Sequence, residues 1–197
     1  PTESATWRNE ALDDVWRSRH RPRRMSGSPV NLSSPAAPAN PDWPSWKAAL
    51  VAVVTVAAAA IVGNLATTPN IPTWYAGLVK PSFNPPNWIF GPVWAALYAM
   101  MAVGFFRILR LPASALRKSA IIAFAGQIAL NALWSVVFFT LRSPSVGFLV
   151  LISLWALIVL TMLRFLALDR IAGWLMAPYL AWASFAALLN AAIWNLN

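Results

Sequence analysis

Five apolar stretches of 19 to 23 residues, none containing an aspartate or glutamate, fill the chain beyond residue 45. At about 1.5 Å per residue, each is long enough to cross a hydrocarbon layer of about 30 Å. No water is present there to satisfy a stray backbone group, so such a segment is stable as a continuous helix. The predicted spans are 46–66, 88–108, 119–141, 145–163 and 171–193. The fold class expected is an all-α integral membrane protein, a five-transmembrane-helix bundle. Only a few residues, around 142–144 and 166–170, join the third span to the fourth and the fourth to the fifth, so these helices should be antiparallel neighbours. The first span has the basic lead and Ala/Val-rich centre of a signal peptide. Its apolar run of about 20 residues exceeds a typical signal core, so it reads as a retained helix.

Charge is distributed as this reading requires. The chain is 59% hydrophobic and 11% charged, against roughly a quarter charged in soluble domains. Five of the six acids precede residue 45, leaving only Asp169 beyond it. The net charge of +9 is not gathered on a wettable face, so it points to membrane orientation and excludes a nucleic-acid partner. Thirteen of the fifteen Lys/Arg fall on the side of the N-terminus, against Lys80 and Arg142 on the other. The expected orientation is therefore N-terminus cytoplasmic and C-terminus outside. Residues 1–44, with the basic run Arg17 to Arg24 and Ser/Pro/Ala-rich text after it, read as a disordered tail. Met25 is a candidate for the true start. There is no cysteine, hence no disulfide or thiolate chemistry.

The link 67–87 is the least ordinary stretch. At 21 residues it is long for a connection inside a compact domain. Trp74, Tyr75, Leu78 and Phe83 are apolar bodies that need packing, and five prolines stiffen the backbone. A lid over the bundle mouth and a packed interfacial loop both fit. Within the spans, helical spacing aligns Gln127, Asn131, Trp134 and Ser135 on the third helix. It also aligns Tyr179, Trp182, Ala186 and Asn190 on the fifth, and Trp94 with Tyr98 on the second. Amides in a bilayer are costly without partners, so these faces should point inward, either to a ligand or to bond helix to helix. Trp46, Trp174 and Trp194 suit an interfacial belt. Trp134 and Trp182 lie too deep for one, and flat rings facing a shared interior suit a planar ligand.

Several separated motifs are similar to one family. Trp74-Tyr75-Ala76-Gly77-Leu78, Lys80-Pro81-Ser82, Pro85-Pro86 with Trp88, and Gly91-Pro92-Val93-Trp94 with Leu97-Tyr98 resemble the TspO/MBR family. So do Ala129-Leu130-Asn131 with Trp134, and Pro178-Tyr179-Leu180-Ala181-Trp182 followed by Phe185 and Leu189-Asn190. These are the tryptophan-rich sensory proteins related to the mitochondrial translocator protein. The resemblance covers about 46–194 and implies a five-helix bundle, usually a homodimer, with a pocket beneath the first loop. It implies porphyrin binding, with protoporphyrin IX as ligand and no obligatory cofactor. The family's pocket tryptophans fall on Trp94, Trp134 and Trp182, and its ligand-facing small residue falls on Ala186. The candidate ligand-binding set is Trp74, Trp88, Trp94, Tyr98, Asn131, Trp134, Trp182, Ala186 and Asn190. The animal sterol motif needs a basic residue soon after a tyrosine at the end of helix five. None follows Tyr179.

The chemistry available is narrow. No span contains a carboxylate, and the sole histidine, His20, lies in the tail, so a proton relay has no groups to run on. No acid–base, nucleophilic or metal-ligating constellation is present, which argues against an enzyme. The expected role is a membrane-embedded tetrapyrrole sensor, regulator or transporter. Light-dependent porphyrin degradation and passive carriage of lipid or sterol are the alternatives that need the same pocket.

Overall fold

The computed structural model describes residues 43–197. The tail as far as 42, with Met25, lies outside the described residues. Within them, five helices are long and apolar enough to cross a membrane, and the secondary structure is entirely helical.

Helix α1 begins after Pro44 and runs over Ser45–Thr67. It does not stop there: a 3₁₀ turn, Thr68–Asn70, and a π-helical turn, Ile71–Tyr75, carry it onward. Half of the predicted 67–87 link is therefore helical, and only 78–86 is irregular. Pro69 and Pro72 look like breakers in sequence. Each sits in the first two positions of its short turn, where a missing N–H costs least. Side chains cover two carbonyls nearby: Asn70 Nδ2 donates to Ala66 O (2.9 Å) and Thr73 Oγ1 to Pro69 O (3.2 Å).

Helix α2, Asn87–Leu109, starts after Pro86 and tolerates Pro92 near its N-terminus. Helix α3, Ala115–Ser135, is capped by Ser114, whose hydroxyl accepts from the Arg117 N–H, and it extends through a second π turn, Val136–Thr140. The reversal that follows puts Arg142 in the left-handed region (φ 52°), with Ser143 N–H reaching back to Val137 O. Helix α4, Pro144–Leu168, leads to Asp169, whose carboxylate caps the short helix α5, Arg170–Trp174. Helix α6, Ala177–Leu196, completes the bundle. The fifth span, predicted as one helix, is thus interrupted at Leu175–Met176. Pro178 supplies no N–H to the Trp174 carbonyl and crowds it, which breaks the helix there.

Helices α3 and α4 pack most extensively, α4 also packs on α6, and α1 lies against α2 and α3. One half of the core holds a stack of Phe105, Phe124 and Phe165, with successive centroids 4.1 and 5.8 Å apart. At this end the Arg117 guanidinium donates to Ile108 O and Leu109 O, satisfying the last carbonyls of α2. Arg107 pairs with Asp169 (2.8 Å), Arg110 donates to Trp43 O, and Arg164 bonds Ser119. The bundle exterior carries Leu50, Val53, Ile61, Leu149, Leu163 and Leu188, all exposed. In water such a surface would aggregate; surrounded by acyl chains it is at home.

Candidate ligand-binding chamber

The other half of the bundle is hollow. A cavity of about 510 Å³ lies among α1 with its extension, α2, α3 and α6, while α4 contributes no lining residue. The reason is visible along the helices. Where the opposite half meets through Phe105, Phe124 and Phe165, this half places small residues, Ala60, Gly63, Gly91, Ala95 and Ala186, between large rings.

Seven of the nine candidate residues line the cavity: Trp88, Trp94, Tyr98, Trp134, Trp182, Ala186 and Asn190. Rings hold one another in place. Trp94 packs on Tyr98 (centroids 5.3 Å) and on Tyr179 (6.1 Å). Trp134 stacks on Phe138 (5.3 Å, 25°), and Trp182 meets Phe90 (5.7 Å) and Phe185 (5.5 Å). Trp134 Nε1 donates to Asn190 Oδ1 (3.2 Å), and Asn190 Nδ2 donates to Pro144 O (2.7 Å). Asn190 therefore ties α3, α4 and α6 while presenting its edge to the chamber.

Trp74 and Asn131 stand behind the wall. Trp74 packs edge-on against Phe138 (5.5 Å) and Phe139 (6.4 Å). Asn131 is buried below the floor, where its Oδ1 accepts from Tyr98 OH (2.9 Å) and its Nδ2 donates to Tyr179 OH (2.9 Å). This Tyr–Asn–Tyr bridge joins α2, α3 and α6 and fixes the ring of Tyr98, which does reach the cavity. Gln127, expected on the same inward face, is fully buried one turn further on.

The lid is made differently from the expectation. Thr67 at the end of α1 and Thr68, Ile71 and Tyr75 of its extension line the cavity, and no residue of 76–86 does. The irregular segment braces the cover instead. Tyr75 OH donates to Asn84 Oδ1, Lys80 Nζ sits 4.8 Å over the Tyr75 ring, and Phe83 meets Phe185 edge-on. Asn197 pairs with the Val79 backbone through two bonds of 3.0 Å.

Sequence reasoning did not select Phe90, Phe138, Phe139, Phe185 or Asn64 for the wall. Phe138 lies four residues after Trp134, a spacing that shares a helix face. Asn64 is an amide in an otherwise apolar span, which is itself a signal. Phe139 lies four residues after Ser135, so the same spacing pointed to it. Among the described residues, the lining holds ten aromatic side chains and no charged residue. Its polar atoms are amides, hydroxyls and indole N–H groups. Such a chamber can stack flat rings and offer neutral hydrogen bonds at fixed points.

A five-helix membrane bundle with an aromatic, uncharged chamber at one end is thus the class of protein defined by the fold. The profile of the TspO/MBR family matches residues 51–195. The chain is 42% identical over 135 residues to the "Tryptophan-rich protein TspO" of Chlorobaculum tepidum, covering 66% of this chain and 84% of that protein. It is 38% identical over 125 residues to "Protein CrtK" of Rhodobacter capsulatus, covering 63% and 78% respectively. With the human "Translocator protein" the identity is 34% over 126 residues, covering 63% and 75%. The chain belongs to the TspO/MBR family.

Proposed function

We propose that the chamber binds a planar, largely apolar tetrapyrrole of the protoporphyrin IX kind, and that the protein is a sensor or carrier of that ligand. The observation that carries this is the wall: ten aromatic side chains and no charge around about 510 Å³, within the usual span of small-molecule sites of about 300–1,000 Å³. Trp94 of α2 and Trp182 of α6 both line the cavity, so a flat ligand there can stack on indole. The family's membrane sensory and transport character, carried in its relatives' names, fits the same reading.

Orientation belongs to the proposal. Arg107, Arg110, Arg117 and Arg164 meet Asp169, Trp43, the end of α2 and Ser119 at one end of the bundle. Lys80 and Arg142 lie at the chamber end. By the excess of cations on the cytoplasmic side, the chamber faces outward and the N-terminus lies inside. A homodimer also belongs to it; Ala125 and Ala129 of α3 both face outward and offer a small-residue seam.

The test is a titration of the purified protein with protoporphyrin IX, read by tryptophan fluorescence. Saturable quenching is expected, and Trp94→Phe and Trp182→Phe each weaken it. Quenching that never saturates, or that both variants leave untouched, overturns the reading.

A further inference from the structure

The chamber's exposed lining is confined to one seam. Asn64 and Thr68 on the α1 side, and Asn87, Trp88, Gly91 and Ala95 on α2, are the lining residues open to the exterior. Every lining residue from α3 and α6 is buried or half-buried. The wall is thus interrupted between α1 and α2, and the interruption is flanked by small residues. A Cβ built at Gly91 meets nothing within 4 Å. At the water-facing end, Tyr75 covers the chamber, and Asn84, Lys80 and the Val79–Asn197 pair hold the covering segment in place.

The depth of the seam matters. Asn64 lies 19 residues beyond Ser45, a rise of about 28 Å along the helix. That places it near the far edge of a hydrocarbon layer of about 30 Å. An amide at that depth can reach headgroups or the polar edge of a lipid-dissolved molecule, and among the described residues neither Asn64 nor Asn87 makes a side-chain hydrogen bond. Two unpartnered amides therefore flank a gap whose inner surface is apolar and whose outer neighbour is lipid.

We propose that the seam between α1 and α2 is a side entrance, through which a ligand dissolved in the bilayer slides into the chamber ring-first while Asn64 and Asn87 donate to carboxylate or carbonyl groups on its trailing edge. This rests on the chamber being the binding site. It adds the route and the ligand class: an amphiphile that partitions into lipid, with acceptor groups along one edge of an apolar plate. Trp88, 74% exposed beside the gap, lies where it would meet the entering ring first.

The route is tested by stopped-flow quenching with protoporphyrin IX in phosphatidylcholine proteoliposomes. Gly91→Leu narrows the gap, and its Cβ meets no heavy atom within 4 Å. It is expected to slow both entry and exit about tenfold. Ala95→Leu narrows the same gap one turn deeper and does likewise, guarding against a folding fault in either variant. Gly77→Leu places the same side chain in equally open space away from the seam and leaves both rates unchanged. Diluting the ligand with empty vesicles slows entry in proportion to its mole fraction in lipid. If the unmodified chain shows no saturable quenching, the chamber reading falls and the entrance with it. Saturable quenching with unaltered rates in both seam variants overturns the entrance alone. So does loss of equilibrium binding in both, which would make these positions wall rather than doorway.

Discussion

A buried amide such as Asn131 shows how one residue can serve a site without touching its contents. Its two bonds hold Tyr98 and Tyr179 on different helices. Leucine fills similar space but leaves both hydroxyls facing an apolar neighbour. Asn131→Leu is expected to lower stability by about 1–2 kcal/mol, read as thermal unfolding in detergent, and to loosen ligand binding indirectly through Tyr98. Tyr98→Phe, which frees one Asn131 acceptor only, should cost less stability. At this scale the sequence was partly readable. The amide patterns on the third and fifth spans predicted inward faces, and the structure buries Gln127, Asn131 and Asn190. Spacing could not tell Asn190, which reaches the chamber, from Asn131, which does not, because that depends on the depth of the floor.

Among the elements, the junction between α4 and α5 is the most exacting. Asp169 Oδ1 accepts from the Ile171 and Ala172 N–H groups while Oδ2 accepts from Arg107. Burial raises the Asp169 pKa, but these hydrogen bonds and the guanidinium charge outweigh it and hold it below its ordinary 3.8. A lowered native pKa means that the stabilisation is complete above about pH 5 and fades as pH falls through the ordinary value. Asp169→Ala should cost about 1–2 kcal/mol near neutrality, and the variant's unfolding midpoint should lose the acid dependence of this group. Gly173, in the same turn, has no room for a methyl: a Cβ there would lie 2.4 Å from Leu166 Cγ and 2.7 Å from its backbone N. Backbone cannot swing aside as a side chain can, so Gly173→Ala is expected to destabilise by about 2–3 kcal/mol in the same assay. Element existence was legible because hydrophobic length alone predicts a span. The extension of α1 to Tyr75 was not, since Pro69 and Pro72 mimic a stop and are tolerated because each falls at the start of a short 3₁₀ or π turn.

For the whole molecule, the two ends divide the labour. One is filled by stacked phenylalanines and tied by arginines; the other is hollow. The proposed orientation can be checked directly, because the chain has no native cysteine to interfere. A single Arg142→Cys variant is expected to react with a membrane-impermeant maleimide on intact cells, and Lys118→Cys only after lysis. The reverse pattern would invert the bundle. The division itself was beyond sequence reasoning, since both ends are apolar and rich in aromatic residues. What separates them is whether small residues on one helix face rings or other small residues on the next.

A recess whose lining holds no side chain that ionises near neutrality has no proton switch of its own. Near neutrality none of its amides, hydroxyls or indoles changes charge. Any message that leaves the site therefore has to be mechanical. Under the proposed sensing role, occupancy acts as a strut between the helices that line the void, and a variant that fills it permanently is expected to mimic the occupied state.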